Sequence, residues 1–355
     1  MVCILIKQEK IKDFLKQNNV DAVLVCKDEN YRYISGFTGS DSYLLLTGDV
    51  SYLITDSRYT EQAEAEAQGM QVVNHKGKLA DVVKKLADAH QVRRLGVEKG
   101  MTYGLYLRLD DAMPDKEFLV VTPDVLRQIK TEEELRNIAE ACRISDEGFR
   151  KTLPYIKAGK TENELRRILE CAMLEAGSEG RSFETIVASG VRSSMPHGIA
   201  TDKVVQEGEL ITFDFGAIYR GYHSDITRTV AVGTISDRLR YIYDSVLECN
   251  LTVERMLRAG LKACDVDAKA REYLKSCDLD QYFTHSLGHS VGLEIHETPV
   301  LSPRDETILV PGMTETVEPG VYIPNVGGVR IEDTVAIKEN GIDILTGFPK
   351  NFIKV

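Results

Sequence analysis

Apolar residues recur with two different periods through the first third of the chain. Ile11, Phe14 and Leu15 have helical spacing, whereas residues 21–26 form a short apolar run before a polar turn, as expected of a buried strand. Two alternating segments between turn signals indicate a β-hairpin. The pattern predicts helices over 9–17, 58–68 and 79–90, and strands over 21–26, 43–46, 51–55, 94–97 and 118–121. Such alternation predicts an α/β arrangement in which helices cover an open sheet.

The pattern changes near residue 130, where a long helical period begins. Thr131 and Glu134 have the spacing of a capping box, and an apolar stripe that includes Ile138 continues towards residue 149. We therefore place a domain boundary just before this helix. Two domains are predicted, 1–129 and 130–355.

Three further helices are predicted in the second domain, separated by strand-like segments with glycine-rich turns. The cap residues predict one helix from the box Thr161–Glu164 to Gly177, one from Ser236 to about Gly260, and one that begins at Asp265 or Asp267. Long helices combined with short strands indicate a mixed α+β domain.

Composition and charge serve mainly to exclude classes of protein. The 355 residues include 44 Lys+Arg and 55 Asp+Glu, which gives a net charge of −11 and argues against a sequence-independent nucleic-acid binder. No apolar run approaches the roughly 18 residues of a membrane helix, and the start MVCILIKQEK is too short in its apolar part for a signal peptide. Seven scattered cysteines without a CxxC motif indicate reduced thiols. We expect a cytoplasmic protein with no nucleic-acid or membrane partner.

Carboxylates occur in predicted strands of the second domain, where carboxylates are usually depleted. In ITFDFGA, Asp214 alternates with Phe213 and Phe215 and so points to the opposite face. A turn follows, and Asp225 begins the next strand. Because the midpoint of 214 and 225 falls inside this turn, a hairpin would bring the two aspartates nearly opposite each other.

The same arithmetic applies near the C-terminus. Glu318 lies in TVEPGVY and Glu332 lies in GVRIED, with a turn that includes Asn325 between them. Residue 325 is the midpoint of 318 and 332. Two hairpins are therefore predicted, each of which brings one pair of carboxylates together.

Like charges held this close need protons, arginines or divalent cations to neutralise them. The segment HSLGHSVGLEIH supplies neutral imidazoles at His285, His289 and His296 between glycines, which favours cations. Four carboxylates and one neutral histidine carry a charge of −4, which two divalent ions balance. An oxygen-rich site without sulfur suits Mn²⁺ or another hard-to-borderline ion, and two such ions can clamp a hydrolytic water and its target carbonyl. The HExxH zinc motif is absent from the sequence.

These motifs resemble the pita-bread metallopeptidase family, which includes methionine aminopeptidase, aminopeptidase P, prolidase and the metal-free creatinases. The matching stretches are ITFDFGA, SDITRT, HSLGHSVGLEIHE, TVEPGVY and GVRIED, in the order and spacing of the family. The N-terminal stretches ISGFTGS and DSRYTEQA resemble the smaller domain of prolidases, aminopeptidase P and creatinases. The resemblance implies a creatinase/prolidase-like domain over 1–129 and a pita-bread catalytic domain over 130–355.

The resemblance also implies roles for individual residues. The implied metal ligands are Asp214, Asp225, His289, Glu318 and Glu332, with Asp225 and Glu332 bridging the two ions. Beside the substrate, the implied residues are His197, in the loop SSMPHG, with His296 and His285, while Arg330 and Tyr322 match positions behind the ligands. Mn²⁺ is the expected ion, with Co²⁺ or Zn²⁺ as alternatives. One position departs from the family: the residue after the metal-binding histidine is commonly Gly and is Ser290 here.

The activity implied is hydrolysis of an Xaa-Pro bond in a dipeptide or a longer peptide. Glu318 would shuttle the proton, and His197 with His296 would stabilise the tetrahedral intermediate. Three alternatives stay open: a methionine aminopeptidase, a creatinase-type C–N hydrolase, and a non-catalytic member that acts as a binding module. A homodimer is expected at the level of the family, and the sequence does not separate dipeptidase from aminopeptidase P.

Overall fold

A computed structural model describes residues 2–67 and 69–355, with side chains described from residue 8 onwards. The chain divides into two compact units, Met1–Arg127 and Gln128–Val355. The division lies two residues from the boundary expected from the helical pattern. Within the described chain, every helix is too short or too polar to cross a bilayer.

The first unit is a six-stranded mixed sheet with helices packed on it, in the strand order β4-β3-β2-β1-β5-β6. Its described helices are α1 (Val2–Gln17), α2 (Asp28–Ser35), α3 (Thr60–Glu66), α4 (Leu79–Ala89) and α5 (Tyr103–Ala112). Its strands are β1 (Ala22–Val25), β2 (Tyr43–Thr47), β3 (Ser51–Thr55), β4 (Gln71–Asn74), β5 (Arg94–Glu98) and β6 (Glu117–Val121).

The predicted α/β arrangement of this unit is confirmed. The hairpin β2–β3 pairs Leu44 with Leu53, and both side chains are buried. Helices α4 and α5 contribute Val83 and Leu109 to the core over the sheet. The helix predicted over 58–68 begins at residue 60 and ends at Glu66, and residue 68 lies outside the described residues. The predictions missed α2, α5 and β4.

The second unit has long helices and several small antiparallel sheets. Its helices are α6 (Glu132–Thr152), α7 (Glu162–Glu175), α8 (Asp237–Met256) and α9 (Ala263–Ser276). Its first strands are β7 (Ile186–Ser189), β8 (Leu210–Phe215), β9 (Ile218–Tyr219), β10 (Tyr222–His223), β11 (Ile226–Ala231), β12 (Gly288–Ser290) and β13 (Glu297–Leu301). The remaining strands are β14 (Thr314–Val317), β15 (Gly320–Ile323), β16 (Gly327–Arg330), β17 (Asp333–Lys338), β18 (Gly341–Ile344) and β19 (Ile353–Lys354).

Both predicted capping boxes are confirmed at the starts of α6 and α7. The hydroxyls of Thr131 and Thr161 accept from the backbone N–H three residues on, and the glutamates there accept from the cap residue's own N–H. Each box satisfies two amides that a helix start leaves without a partner. Helix α7 ends near Gly177, which has a φ of +107°, a conformation that glycine adopts without strain.

Two helix boundaries were predicted wrongly. Ser236 caps α8 as expected, but α8 ends at Met256 rather than near residue 260. Helix α9 begins at Ala263 after Lys262, so neither Asp265 nor Asp267 is a cap. Asp267 instead accepts from Arg271 one turn later and from the backbone N–H of Leu287, which explains its burial.

The strands that carry the predicted site are fixed by aromatic packing on their opposite face. The sheet β19-β11-β8-β7 turns Phe213 and Phe215 towards α6, where both contact the ring of Phe149. The alternation predicted for ITFDFGA is confirmed, since Phe213 and Phe215, together with Ile211, are fully buried in one core cluster. The strand's polar face, which includes Asp214, is thereby directed away from this core.

Candidate metal centre

The first carboxylate pair lies on the hairpin of β8 and β11. The sequence predicts the two aspartates nearly opposite each other. The ladder places Asp214 opposite Thr227, so Asp225, which precedes β11, is offset from that position by two residues. The short ladder β9–β10, in which Tyr219 faces Tyr222, continues the register of β8 and β11 towards the turn. The turn is therefore centred between residues 220 and 221, one residue later than the predicted midpoint.

The second pair has the predicted register. Ladder β14–β17 ends where Val317 faces Asp333, and β15–β16 continues in the same register after a break. Glu318 and Glu332 occupy this break and lie opposite each other. Because neither residue belongs to a strand, the two side chains are free of the alternation that the ladders impose.

His289 reaches the carboxylates from β12, at a point where two backbones approach closely. A Cβ built on Gly288 would lie 1.9 Å from the carbonyl oxygen of Thr316, so only glycine fits there. The backbone N–H of His289 donates to the hydroxyl of the same Thr316 at 3.0 Å. These contacts fix the distance between the backbone at His289 and strand β14, which contains Thr316.

The imidazole of His289 has the tautomer that a metal ligand needs. Its Nδ1 donates to the carbonyl oxygen of Ser290 at 3.1 Å, which leaves Nε2 as the acceptor. Nε2 lies 3.5 Å from Oδ2 of Asp225 and 3.6 Å from Oε1 of Glu318. Asp225, His289 and Glu332 form a group whose ligand atoms all lie within 4.8 Å of one another.

The protein alone does not neutralise this cluster. Burial raises the pKa of Asp225 and Glu332 well above the usual carboxyl range, and the neighbouring carboxylates add to the effect. Burial also raises the pKa of Glu318 to about 8. Burial lowers the pKa of His289 to about 4, so this imidazole is neutral at pH 7. The cluster therefore favours bound cations or protons.

A hydroxyl and a guanidinium join the two hairpins behind the carboxylates. The hydroxyl of Thr227 donates to Oε2 of Glu332 at 2.6 Å and accepts from Nε of Arg330 at 3.0 Å. Arg330 also donates to Oδ2 of Asp214 and, through Nη1, to the hydroxyl of Tyr322 at 2.6 Å. One carboxylate from each pair is thus held by this connected set of donors.

The residues present fit a divalent-metal site. No described donor lies within hydrogen-bonding distance of Oδ1 of Asp214 or Oδ1 of Asp225, although both atoms are buried. Buried carboxylate oxygens without partners are costly unless an ion binds them. The donor set is carboxylate oxygen plus one imidazole, without thiolate, as hard and borderline ions prefer.

A second buried ionic cluster lies directly behind Glu332. Its neighbour Asp333 accepts from Arg228 at 2.7 Å, from Lys350 at 2.6 Å and from the hydroxyl of Thr346. Arg228 also donates to the backbone carbonyl of Glu332. This cluster fixes the backbone on which the ligand stands, because its charged groups are paired and buried.

A cavity of about 550 Å³ opens onto the carboxylates, a size typical of small-molecule sites. Its apolar lining residues are Phe183, Ile186, Pro196, Ile199, Ile295 and Val300. The cavity thus joins a charged floor to an apolar wall.

The three other predicted histidines line this cavity. His197 and His296 are solvent-exposed, and the ring of His296 lies 4.4 Å from that of His289. His285 is held by the protein: its Nε2 accepts from the hydroxyl of Tyr322 at 2.9 Å and its Nδ1 donates to the next backbone carbonyl. Burial lowers the pKa of His285 to about 4, so it is a neutral member of this chain of hydrogen bonds.

Sequence reasoning missed the threonines that hold the carboxylates. Thr227 lies two residues after Asp225, and Thr316 lies two residues before Glu318, to which it donates at 3.3 Å. The partner of Thr227 is Glu332, 105 residues away, so sequence spacing carries no signal for that contact, and only Thr316 and Glu318 are close in the sequence.

Ser290, the departure from the family pattern, has a buried partner. The ammonium group of Lys130 donates to Oγ of Ser290 at 2.8 Å and to Oε2 of Glu297 at 3.1 Å. Lys130 and Glu297 are both almost fully buried. Since the carbonyl of Ser290 orients His289, the lysine supports the loop that leads from one histidine to the next.

Comparison with protein families identifies both units. Residues 136–339 match the model of metallopeptidase family M24, and residues 7–129 match the creatinase/prolidase N-terminal domain. The first match covers more than half of the chain, and the two together leave only the ends and a short linker unmatched.

Relatives match along nearly the whole chain. An Xaa-Pro dipeptidase of Pyrococcus horikoshii is 40% identical over 98% of this chain and 98% of its own. The structure of an Xaa-Pro dipeptidase from Bacillus anthracis superposes with a TM-score of 0.97 at 41% identity, covering 99% of this chain and all of the other. An X-Pro aminopeptidase from Thermotoga maritima superposes with a TM-score of 0.88 at 39% identity over 97% of this chain and 100% of its own.

Proposed function

This chain belongs to metallopeptidase family M24 and is a metallopeptidase, and from this premise we propose that it cleaves the Xaa-Pro bond at the N-terminus of its substrates. The observation that carries the proposal is the convergence of Asp225, His289 and Glu332 at the floor of the cavity. Relatives of both names, Xaa-Pro dipeptidase and X-Pro aminopeptidase, support the substrate class.

Two divalent ions, with Mn²⁺ as the expected species, are proposed to bind the five ligands. The ligand set is Asp214, Asp225, His289, Glu318 and Glu332, in which the four carboxylates balance the charge of two divalent ions. When bound, the ions supply Lewis acidity towards the scissile carbonyl and lower the pKa of the attacking water. Arg330 donates to Asp214 and Thr227 donates to Glu332, so both carboxylates are held without an ion.

Glu318 is proposed to move the proton. Oε1 accepts weakly from Thr316, and Oε2 lies 3.9 Å from Nδ1 of His285, so the carboxylate remains available at the cavity. It takes a proton from the attacking water and delivers it to the proline nitrogen as the C–N bond breaks. The nitrogen of a scissile amide must gain a proton to leave as a neutral amine, so this delivery is needed for the proline to leave.

His197 and His296 are proposed to donate hydrogen bonds to the developing oxyanion. Both rings line the cavity and are exposed towards its open side. His285 is instead a positioning residue, because Tyr322 occupies one of its nitrogens and a backbone carbonyl the other. The apolar wall offers the proline ring a surface that excludes water.

The test compares a ligand with a cavity histidine. Chelation should abolish cleavage of Ala-Pro-Ala, and Mn²⁺ or Co²⁺ should restore it. Asp225→Asn should lose bound metal and activity together, whereas His197→Ala should keep its metal and lose about 10²–10³-fold in kcat. Elemental analysis of both variants separates the two roles.

Several outcomes contradict the proposal. Full activity in exhaustively metal-free protein would refute the metal mechanism, and loss of both ions from His197→Ala would refute the assignment of that loop. Cleavage of Ala-Ala-Ala as efficient as that of Ala-Pro-Ala would remove the proline preference, which ring contacts should make about 10–200-fold. Removal of methionine before alanine, without Xaa-Pro cleavage, would place the protein with the methionine aminopeptidases.

A further inference from the structure

The cavity has an unusual balance of charge for a site that would hold a dipeptide. Within residues 128–355, all of which the structure describes, Arg330 is the only lysine or arginine that lines it. The acidic lining residues are Asp214, Glu184, Asp225, Glu318 and Glu332. Two divalent ions would cancel the four ligand carboxylates, and Arg330 would cancel Glu184, so no positive charge is left over for a substrate carboxylate.

Arg330 has little hydrogen-bonding capacity left for a substrate. Nε donates to Thr227 at 3.0 Å, Nη1 donates to the hydroxyl of Tyr322 and to the carbonyl of Pro196, and Nη2 donates to Asp214. Four of the five N–H groups of the guanidinium are therefore engaged. The side chain is only 4% exposed, so it cannot turn towards the cavity without breaking the ties that hold the carboxylates.

An Xaa-Pro dipeptide that is cleaved must place its free carboxylate inside the cavity. The free carboxylate is attached to the Cα next to the scissile nitrogen, and standard bond lengths put its carbon within about 3 Å of that nitrogen. Wherever the bond is cut, the negative charge lies in the cavity, where an unpaired charge is costly. In a longer peptide the same position holds a neutral amide carbonyl, and the terminal charge lies at least one residue further out.

The exposed side of the cavity suits a chain that continues outwards. Glu184, His197, Ile199 and His296 are lining residues that are also solvent-exposed, and Ile199 is 49% exposed. They mark the side of the cavity through which the peptide residues that follow proline can extend into solvent. Exposed apolar side chains there also offer contacts to those residues.

We propose, on the basis of the function above, that this protein is an Xaa-Pro aminopeptidase that prefers peptides of three or more residues and disfavours free Xaa-Pro dipeptides. The absence of an available cation beside the proline site within residues 128–355 determines this preference. The preference depends on the charge of the free carboxylate and not on length itself. A dipeptide whose carboxylate is masked should therefore be cleaved as well as a longer peptide.

Three substrates isolate the charge. Ala-Pro, Ala-Pro-amide and Ala-Pro-Ala share the scissile bond, and the amide differs from the dipeptide only in its terminal group. With the Mn²⁺-loaded protein, kcat/KM should be at least tenfold higher for the amide and for the tripeptide than for Ala-Pro. Equal values, or a preference for Ala-Pro, would overturn the inference and indicate a cation supplied from outside residues 128–355.

Matched variants test the cause. Ile199→Arg adds a cation to the lining, and the ratio of kcat/KM for Ala-Pro-amide to that for Ala-Pro should fall at least threefold. Ile199→Gln adds polarity without charge, and Val191→Arg adds the same charge at a 48%-exposed position that does not line the cavity, so both should keep the wild-type ratio. A fall in all three variants would contradict a charge effect at the cavity.

Failure of this inference differs from failure of the proposed function. If all three substrates are cleaved equally, the Xaa-Pro activity stands and the chain-length preference is wrong. If the metal-loaded protein cleaves none of the three, the proposed function itself is wrong. Direct binding gives a second readout: by calorimetry, prolinamide should bind the Mn²⁺-loaded protein more tightly than proline, and equal affinity would count against the preference.

Discussion

Each of the two hairpins brings a pair of carboxylates together, but the backbone arrangement differs between them. Asp214 lies inside a strand, and Asp225 lies just outside the next one, with the short ladder β9–β10 continuing their register towards the turn. Glu318 and Glu332 face each other in a break between two ladders of one register. The aspartate pair is therefore offset along the strands, while the glutamate pair is directly opposed.

The difference shows where register arithmetic succeeds. In both hairpins the ladders on the two sides of the break share one register. The arithmetic works for the glutamates because they occupy directly opposed positions of that register, and it fails for the aspartates because Asp225 lies two residues before Thr227, the residue opposite Asp214. The partners differ too: a guanidinium holds Asp214, whereas the hydroxyls of Thr227 and Thr316 hold Glu332 and Glu318.

The largest effect is expected from removing one member of the opposed pair. Glu332→Gln should lose bound Mn²⁺ and reduce kcat/KM by more than the roughly 10–100-fold that loss of an outer partner costs. Metal content and activity on Ala-Pro-Ala measure the two losses. Glu306→Gln, at a side chain 81% exposed, is the matched control and should behave as the wild type.

The hydroxyl behind each glutamate allows a finer comparison. Thr227→Val should weaken metal binding about 10–100-fold, because Thr227 contacts both Glu332 and Arg330. Thr316→Val should cost less, because its 3.3 Å contact to Glu318 is long. Thr227→Ser keeps the hydroxyl and should recover most of the affinity in a metal titration. Equal losses in the two valine variants would contradict the difference drawn between the two hydroxyls.

Stability of the metal-free protein should depend on pH through Glu318. Its folded pKa of about 8 exceeds the ordinary value of 4.5, so the folded state keeps a proton that the unfolded chain releases, and stability falls as pH rises through this window. His285 and His289, whose pKa values are lowered from 6.5 to about 4, act in the opposite sense below pH 6.5. The fall in Tm is thus expected between pH 6.5 and 8.

Two controls identify the source of this pH dependence. Glu318→Gln should make the fall in Tm shallower, and saturating Mn²⁺ should remove it, because the metal binds the deprotonated carboxylate. Thermal unfolding followed by circular dichroism measures each case. A wild-type Tm that rises between pH 6.5 and 8 without metal would contradict the raised pKa.

The smallest effect is expected at Ser290. Ser290→Gly restores the residue common in the family but removes the acceptor for Lys130, so kcat should fall less than tenfold and metal affinity should change little. Ser290→Ala removes the same hydroxyl without adding backbone freedom. Similar kinetics in the two variants would assign the effect to the lost hydrogen bond, and a defect confined to the glycine variant would assign it to the backbone.

Local sequence signals predict much of the fold. Thr131 and Thr161 begin helices because a capping box is encoded within four residues. Asp267 misled the prediction because an aspartate near a helix start has the features of a cap, while its actual partners, Arg271 and Leu287, are fixed only in the folded chain.

The site was predicted as a set of residue types but not as a network. Strand alternation and turn midpoints place the carboxylates approximately. The bonds that orient them join Thr227 to Glu332 and Lys130 to Ser290, which are 105 and 160 residues apart. No local period encodes a hydrogen bond of that span, because it depends on how separate sheets pack.

The buried cluster around Asp333 also sets a time order for biosynthesis. Lys350 and Thr346 complete the pairing behind Glu332, and Lys350 follows Asp214 by 350 − 214 = 136 residues. At about 5–20 residues per second, Asp214, the first of the proposed ligands, waits about 7–27 s on the ribosome before that support exists. Nascent chains arrested before residue 346 should therefore fail to retain Mn²⁺, and pull-down with metal analysis would detect any that do. The proposed metal centre is in this sense assembled last, although the first of its proposed ligands is made little more than halfway through synthesis.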